Sequence, residues 1–337
     1  MHCRRPAGVP VIEFRHVTKR YADGPAAVDD LSLVAPSHQI TVLVGPSGCG
    51  KTTSLRMVNR MVEPTQGEIL VDGDDIQGLD AVRLRRGIGY VIQHAGLFPH
   101  KSVVDNIATV PRLLGRSKAE ARGRAMELIE QVGLEAQYAD RYPAQLSGGQ
   151  QQRVGVARAL AADPPIMLMD EPFSAVDPVV RAQLQDEFLR LQRDLAKTIV
   201  FVTHDIDEAI KLGDNIVVLR VGGTLAQMAT PAELLARPAD DFVAGFIGRD
   251  RGYRALSFVP ADELTVQPLP DGAADSLDES YPYQQGRPLK AALDATLTAP
   301  DGRAVVVDEH GTPVGMIEHQ DVLAAVRRAE DQRSEPV

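Results

Sequence analysis

Eight residues constrain this chain more than any others. Gly45-Pro46-Ser47-Gly48-Cys49-Gly50-Lys51-Thr52 fits the pattern G-x-x-x-x-G-K-[ST] and stands directly after the β-branched run 39–44. A short apolar run of that kind suits a strand buried in a parallel sheet. Glycines let the following loop curl, so that successive backbone N–H groups point inward at phosphate oxygens. A helix is expected from Gly50 through about Met61, and its N-terminal partial charge adds to the attraction. Lys51 then reaches the β- and γ-phosphates of a nucleotide, Thr52 ligates Mg²⁺, and Thr53 follows on the first helical turn.

The rest of the first 249 residues carries the same alternation. Residues 9–20 read as a strand that Tyr21-Ala22-Asp23-Gly24-Pro25 breaks. Residues 112–145 have a helical pattern with more charge. Buried strands follow at 166–170 and 198–203, separated by a helix over 178–195. Strands alternating with helices predict an α/β fold with helices on both sheet faces. Asp170 and Glu171 end the strand at 166–170. After a phosphate-binding loop, that position sets the first carboxylate beside the metal and lets the second polarise a water for attack on the γ-phosphate. A solvated acidic turn is the plainer alternative.

Leu146-Ser147-Gly148-Gly149-Gln150 has two compatible readings. Ser147 and Gln150 form an S-x-x-Q capping box for the helix that follows. Capping does not require Gly148 and Gly149, which cost helix entropy, whereas two glycines at a helix start suit a backbone that approaches phosphate closely.

These five residues resemble the signature motif of ABC ATPases, and the resemblance extends over about residues 11–248. Tyr21 matches the aromatic residue that stacks on adenine, Gln93 in Tyr-Val-Ile-Gln-His the Q-loop glutamine and Mg²⁺ contact, Asp177 in Ser-Ala-Val-Asp the D-loop, and His204 in Val-Thr-His-Asp the switch histidine. Glu171, Gln93 and His204 are thus the expected catalytic set. Thr52, Gln93 and Asp170 are the expected Mg²⁺ set. Gly45 to Thr53, Tyr21, Ser147 to Gln150 and Asp177 are the expected ATP contacts. In this family ATP lies between two copies of the domain, and one phosphate-binding loop here implies pairing with a second chain. The fold implied is a P-loop NTPase domain with a helical subdomain.

A finer resemblance is to osmoprotectant importers of glycine betaine, carnitine, choline or proline. It rests on 89–100, on Asp140-Arg141-Tyr142-Pro143, and on 203–211. It implies transmembrane permease subunits and an extracytoplasmic substrate-binding protein as partners, and a place on the cytoplasmic face of the membrane. An importer of an amino acid or a sulfonate is the alternative within transport. A soluble ABC ATPase acting on nucleic acid is the alternative outside it, and the single cassette and the charge count against that.

The chain has 337 residues and a net charge of −10, with 44% apolar and 24% charged residues, the composition of a soluble globular protein. That charge argues against nucleic-acid binding through phosphate contacts. No apolar run is long enough to span a bilayer, and no signal core follows the basic N-terminus, so membrane contact is expected through the permease alone. Cys3 and Cys49 make neither a disulfide framework nor a metal pattern. Residues 250–337 hold 8 basic and 16 acidic residues, leaving only −2 for the first 249. A second domain is therefore expected over 250–337. Within it, helix 289–297, strand 304–307, turn 309–312, strand 314–317 and helix 321–328 make a unit that resembles one CBS motif, at about 280–330. Its partner motif is either a degenerate one at 254–270 or a second copy across a dimer.

Overall fold

Ile40–Val44 (β3) has no side chain facing water, and that decides where the strand goes. A strand buried on both faces must lie inside a sheet that helices cover on each side. The computed structural model describes residues 11–334 except 23, 94, 175, 263 and 270–281. Cys3, the first residues of the expected strand 9–20 and part of the expected second domain, 270–281, lie outside the described residues. By packing, the chain divides into two compact units, 1–234 and 235–337.

The first unit contains two sheets. One is antiparallel, formed by Ile12–Arg20 (β1), Ala26–Ala35 (β2), Gln66–Val71 (β4) and Asp74–Asp75 (β5) in the order β2-β1-β4-β5. The sequence pattern did not announce it as a separate sheet. The other has six strands: β3, Ile88–Val91 (β6), Ile166–Asp170 (β7), Thr198–Val202 (β8), Asn215–Leu219 (β9) and Leu225–Ala229 (β10). Its order is β10-β9-β3-β8-β7-β6, and every pairing from β9 to β6 is parallel. Helix Lys51–Val58 (α1) belongs to the core of both sheets. Its Leu55, Met57 and Val58 share one buried cluster with Ile12 and Phe14 of β1 and with Leu168, Val200 and Val202 of the larger sheet.

Helix α1 is shorter than the sequence suggests, because Asn59 ends it and Arg60 turns left-handed at φ 54°. The helical pattern expected over 112–145 belongs to a run of several helices. After Ala81–Arg86 (α2) come Val103–Ile107 (α3), Thr109–Leu113 (α4), Lys118–Gln131 (α5) and Gly148–Leu160 (α6), with left-handed glycines at 115 and 133 marking two of the breaks. Pro178–Leu195 (α7) spans the range the sequence predicts, and Ile206–Leu212 (α8) completes the unit.

Helix Pro231–Ala236 (α9) crosses the division between the units, and Asp241–Ile247 (α10) and Arg251–Ala255 (α11) follow. The second unit then forms a three-stranded sheet from Tyr283–Gln284 (β11), Arg303–Val307 (β12) and Pro313–Glu318 (β13), with helices Leu289–Thr298 (α12) and His319–Ser334 (α13). Strand β11 is parallel to β12, and β12 is antiparallel to β13. Tyr283, Ala292, Val306, Ile317 and Val322 form its core, with Ala261, Leu264 and Val266 packed against it. The described part of 254–270 adds a single bridge, Gln267 to Met316, to this same sheet. It does not repeat the β-α-β-β-α unit.

Candidate nucleotide-binding site

The loop 45–50 leaves the C-terminal end of β3 and delivers Lys51 to the first turn of α1. Gly50 stands at φ 89°, and a Cβ there would run into the Ala27 carbonyl, so the backbone passes where only glycine fits. Lys51 is buried, and its Nζ donates to the carbonyls of Gly45 (2.8 Å) and Pro46 (3.0 Å). Those are weak, neutral partners for a buried ammonium, and an anion in the loop offers stronger ones. Cys49 is fully buried, with its Sγ 3.6 Å from the lysine nitrogen.

Two strands away, β7 ends at Asp170. Thr52 Oγ1 donates to Asp170 Oδ1 at 2.8 Å, so the hydroxyl and the carboxylate expected to hold a cation already share one spot. Burial pushes the Asp170 carboxyl up; the Thr52 hydrogen bond and then the Arg56 guanidinium oppose this, and the neighbouring Glu171 charge adds to it. A hard oxygen pair, one of them a carboxylate whose ionised form gains from an added positive charge, suits Mg²⁺. The sequence reading did not single out Arg56 or Tyr90, which complete this corner. Arg56 Nη2 is 3.9 Å from Asp170 Oδ2, and the buried Tyr90 hydroxyl lies beside both side chains. Arg56 was findable, since it stands four residues after Thr52 and so on the same helix face.

Glu171 continues the sheet by one bond, its N–H donating to Val202 C=O at 2.9 Å, and then turns left-handed at φ 45°. Such a conformation in a non-glycine residue costs about 1–3 kcal/mol and persists where its surroundings impose it. The turn aims the carboxylate at two side chains from other loops. Gln93 Nε2 donates to Glu171 Oε2 at 3.2 Å, and His204 Nδ1 lies 3.3 Å from Oε1. Gln93 follows β6 and His204 follows β8, so three neighbouring parallel strands deliver one cluster at their C-terminal ends, where open α/β sheets bind ligands.

The remaining candidates stand elsewhere. Tyr21 is exposed in the loop after β1, with Lys19 Nζ 5.0 Å from its ring centroid. Ser147 and Gln150 make the expected capping box, Ser147 Oγ accepting from Gln150 N–H and Gln150 Oε1 from Ser147 N–H. Gly149 has a packing reason invisible in the sequence: a Cβ there would sit 3.1 Å from Val180 Cγ1. Gly148 is exposed beside it. Asp177 caps α7, accepting from Val179 N–H at 3.0 Å. Among the described residues, no hydrogen bond or ion pair joins Ser147–Gln150 or Asp177 to the loop 45–53.

This geometry has known counterparts. A family profile described as "ABC transporter" matches residues 28–174. The chain is 45% identical over 322 residues to the osmoprotectant import ATP-binding protein OsmV of Salmonella typhimurium, covering 94% of this chain and 81% of that protein. It is 53% identical over 314 residues to the carnitine transport ATP-binding protein OpuCA of Listeria monocytogenes, covering 93% of this chain and 76% of that one. It is 47% identical over 315 residues to the glycine betaine uptake system ATP-binding protein YehX of Escherichia coli, covering 93% and 99%. Among solved structures, a dimeric ATP-binding cassette in a post-hydrolysis state with ADP and Pi superposes with a TM-score of 0.60 at 33% identity, covering 65% of this chain and 98% of that one. With this identity over nearly the whole chain, and with Thr52, Asp170, Glu171, Gln93 and His204 gathered at one end of the sheet, the chain belongs to the ABC transporter family as an ATP-binding protein.

Proposed function

We propose that this chain hydrolyses ATP to energise uptake of a quaternary-amine osmoprotectant such as glycine betaine, carnitine or choline. The observation that carries the chemistry is the convergence of Gln93 and His204 on Glu171, one residue from the Thr52–Asp170 pair. Glu171 takes the proton of the attacking water. His204 and Gln93 hold the carboxylate in place and orient that water by hydrogen bonds. Lys51 and the N–H groups of 45–52 bind the phosphates, and Tyr21 stacks on the adenine. Thr52, Asp170 and Gln93 hold Mg²⁺, which when bound neutralises phosphate charge. Ser147 to Gln150 and Asp177 belong to the site of a second copy, which is consistent with their separation from the loop 45–53 in one chain. The printed names of the relatives, import proteins for osmoprotectants, carnitine and glycine betaine, support the substrate class.

The expected partners are a second ATPase copy, a transmembrane permease and an extracytoplasmic binding protein, with no nucleic acid. No described helix is long and apolar enough to cross a membrane; attachment is through the permease, at the cytoplasmic face. The acidic region after residue 250 is a CBS-like unit that tunes transport; the parallel β11–β12 and antiparallel β12–β13 pairings support the CBS-like part of this reading. The test is radiolabelled betaine and choline uptake in cells carrying only this system, with and without osmotic upshift, for the full chain and for residues 1–249. Uptake of neither solute refutes the substrate class. Identical salt curves for the two chains refute the tuning role.

A further inference from the structure

Arg158 is a desolvated guanidinium, and among the described residues no carboxylate pairs with it. Burial alone pushes its proton affinity down, with no charged neighbour acting against it. Its hydrogen-bond partners are two consecutive backbone carbonyls, and its Cζ lies 5.9 Å from the Phe98 ring centroid. Nη2 donates to Ala95 C=O at 2.6 Å and Nη1 to Gly96 C=O at 2.7 Å. Both residues are left-handed, at φ 39° and 56°, so the chain makes a kink two residues after Gln93 and turns those carbonyls the same way. A planar fork of N–H donors meets such a pair with one nitrogen on each oxygen, a fixed geometry that the single nitrogen of a lysine does not reproduce.

The contact is tight on the helix side as well. Gly155, one turn before Arg158 on α6, faces the same kink: a Cβ there would stand 3.3 Å from Ala95 Cβ and 3.4 Å from its Cα. The far end of the loop is held independently. Asn106 is fully buried, accepts from Phe98 N–H at 2.7 Å and donates to the carbonyls of Phe98, Lys101 and Ser102. The segment carrying Gln93 is therefore anchored at its start by α6, the helix that begins at Ser147-Gly148, and at its end by α3.

We infer that Arg158 is a positioning residue: by clamping Ala95 and Gly96 to α6 it sets where Gln93 stands against Glu171. This rests on the role proposed above for Gln93. In the full chain, Arg158→Lys is expected to lower kcat for ATP about 10-fold or more while KM for ATP moves less than about threefold, the signature of lost alignment rather than lost binding. Because a smaller folded fraction also lowers apparent kcat at constant KM, kcat is taken per nucleotide-binding site titrated in each preparation. In a Gln93→Ala background, Arg158→Lys is expected to add less than about a twofold loss, since the two act through one contact. Gly155→Ala perturbs the same contact from the helix side: the roughly 1 kcal/mol that alanine gains in a helix offsets part of the crowding of its methyl against Ala95, so the variant should still melt as one cooperative fold while kcat falls. An unchanged kcat in Arg158→Lys or Gly155→Ala overturns the inference. So does an Arg158→Lys loss that multiplies undiminished with that of Gln93→Ala. A normal kcat in Gln93→Ala alone overturns both this inference and the role given to Gln93.

Discussion

Replacing Glu171 by Gln isolates the proton-accepting role from everything else the side chain does. The amide has the same length and shape. Its oxygen can accept from Gln93 Nε2, now 3.2 Å from Oε2, while its NH₂ faces His204 Nδ1, now 3.3 Å from Oε1. Both contacts survive if His204 carries its proton on Nε2. The left-handed turn at 171 and the bond from its N–H to Val202 C=O involve only backbone and are untouched. Folding stability should therefore stay within about 0.5 kcal/mol of wild type. ATP affinity should also persist, because Lys51 and the loop N–H groups bind the phosphates. What disappears is the ability to take a proton. Losing a general base costs about 10²–10⁴-fold, or about 2.7–5.4 kcal/mol at 1.36 kcal/mol per decade. His204→Ala removes a contact 3.3 Å from the carboxylate but leaves the base itself, and should cost less. The assay is steady-state phosphate release at saturating ATP, paired with a nucleotide titration. Turnover by Glu171→Gln within a few-fold of wild type refutes the assignment of the base, and loss of ATP binding refutes the separation of roles.

Three further outcomes follow from the geometry. Lys51→Ala should abolish nucleotide binding or hydrolysis, while Tyr21→Ala should weaken binding by about 1–3 kcal/mol, the worth of one base–aromatic stack; an unchanged affinity in a titration removes Tyr21 from the adenine site. Ser147→Arg should prevent the ATP-driven dimer that Glu171→Gln is expected to trap, and should leave the nucleotide affinity of the monomer intact; light scattering that still shows a dimer refutes this. Burial pushes the Glu208 carboxyl up, against hydrogen bonds from Thr203 and Gln185, so the fold keeps this proton after the unfolded chain has released it. Its stabilising effect is full below the unfolded value of about 4.3 and is lost as pH rises through the higher folded value. Glu208→Gln can still accept from Gln185 Nε2, at 3.0 Å in the wild type, and should gain on the wild type as pH rises from about 4 to 7. Equal differences in melting temperature at both ends of that range refute the buried-acid reading.

Residues whose chemistry depends on chain neighbours were legible before any coordinates. The loop 45–52 has its meaning from one glycine-rich stretch between a strand and a helix. Helix 178–195, strand 166–170 and the S-x-x-Q cap at Ser147 are likewise set by period, burial and local hydrogen bonding, interactions that reach at most a few residues along the chain. The end of α1 was not legible. The sequence continues in helical style to Met61, yet Arg60 turns left-handed and its guanidinium bonds the carbonyls of Ile76 and Leu79, partners 16 and 19 residues away.

Tertiary structure alone decided which distant residues meet. The family resemblance groups Gln93, Glu171 and His204, but no local spacing does; the order of β6, β7 and β8 in one parallel sheet brings their C-terminal ends side by side. Gly149 reads as a phosphate contact in sequence and acquires a second reason only when α7 sets Val180 against it. Arg158 reads as an ordinary helix cation until the kink at Ala95-Gly96 presents two carbonyls to it across 62 and 63 residues of chain. The physical reason is common to all three. Hydrogen bonds and van der Waals contacts act over a few ångströms, so local ones can be read from spacing. Those between distant segments exist only once burial of the apolar strands has chosen the sheet order.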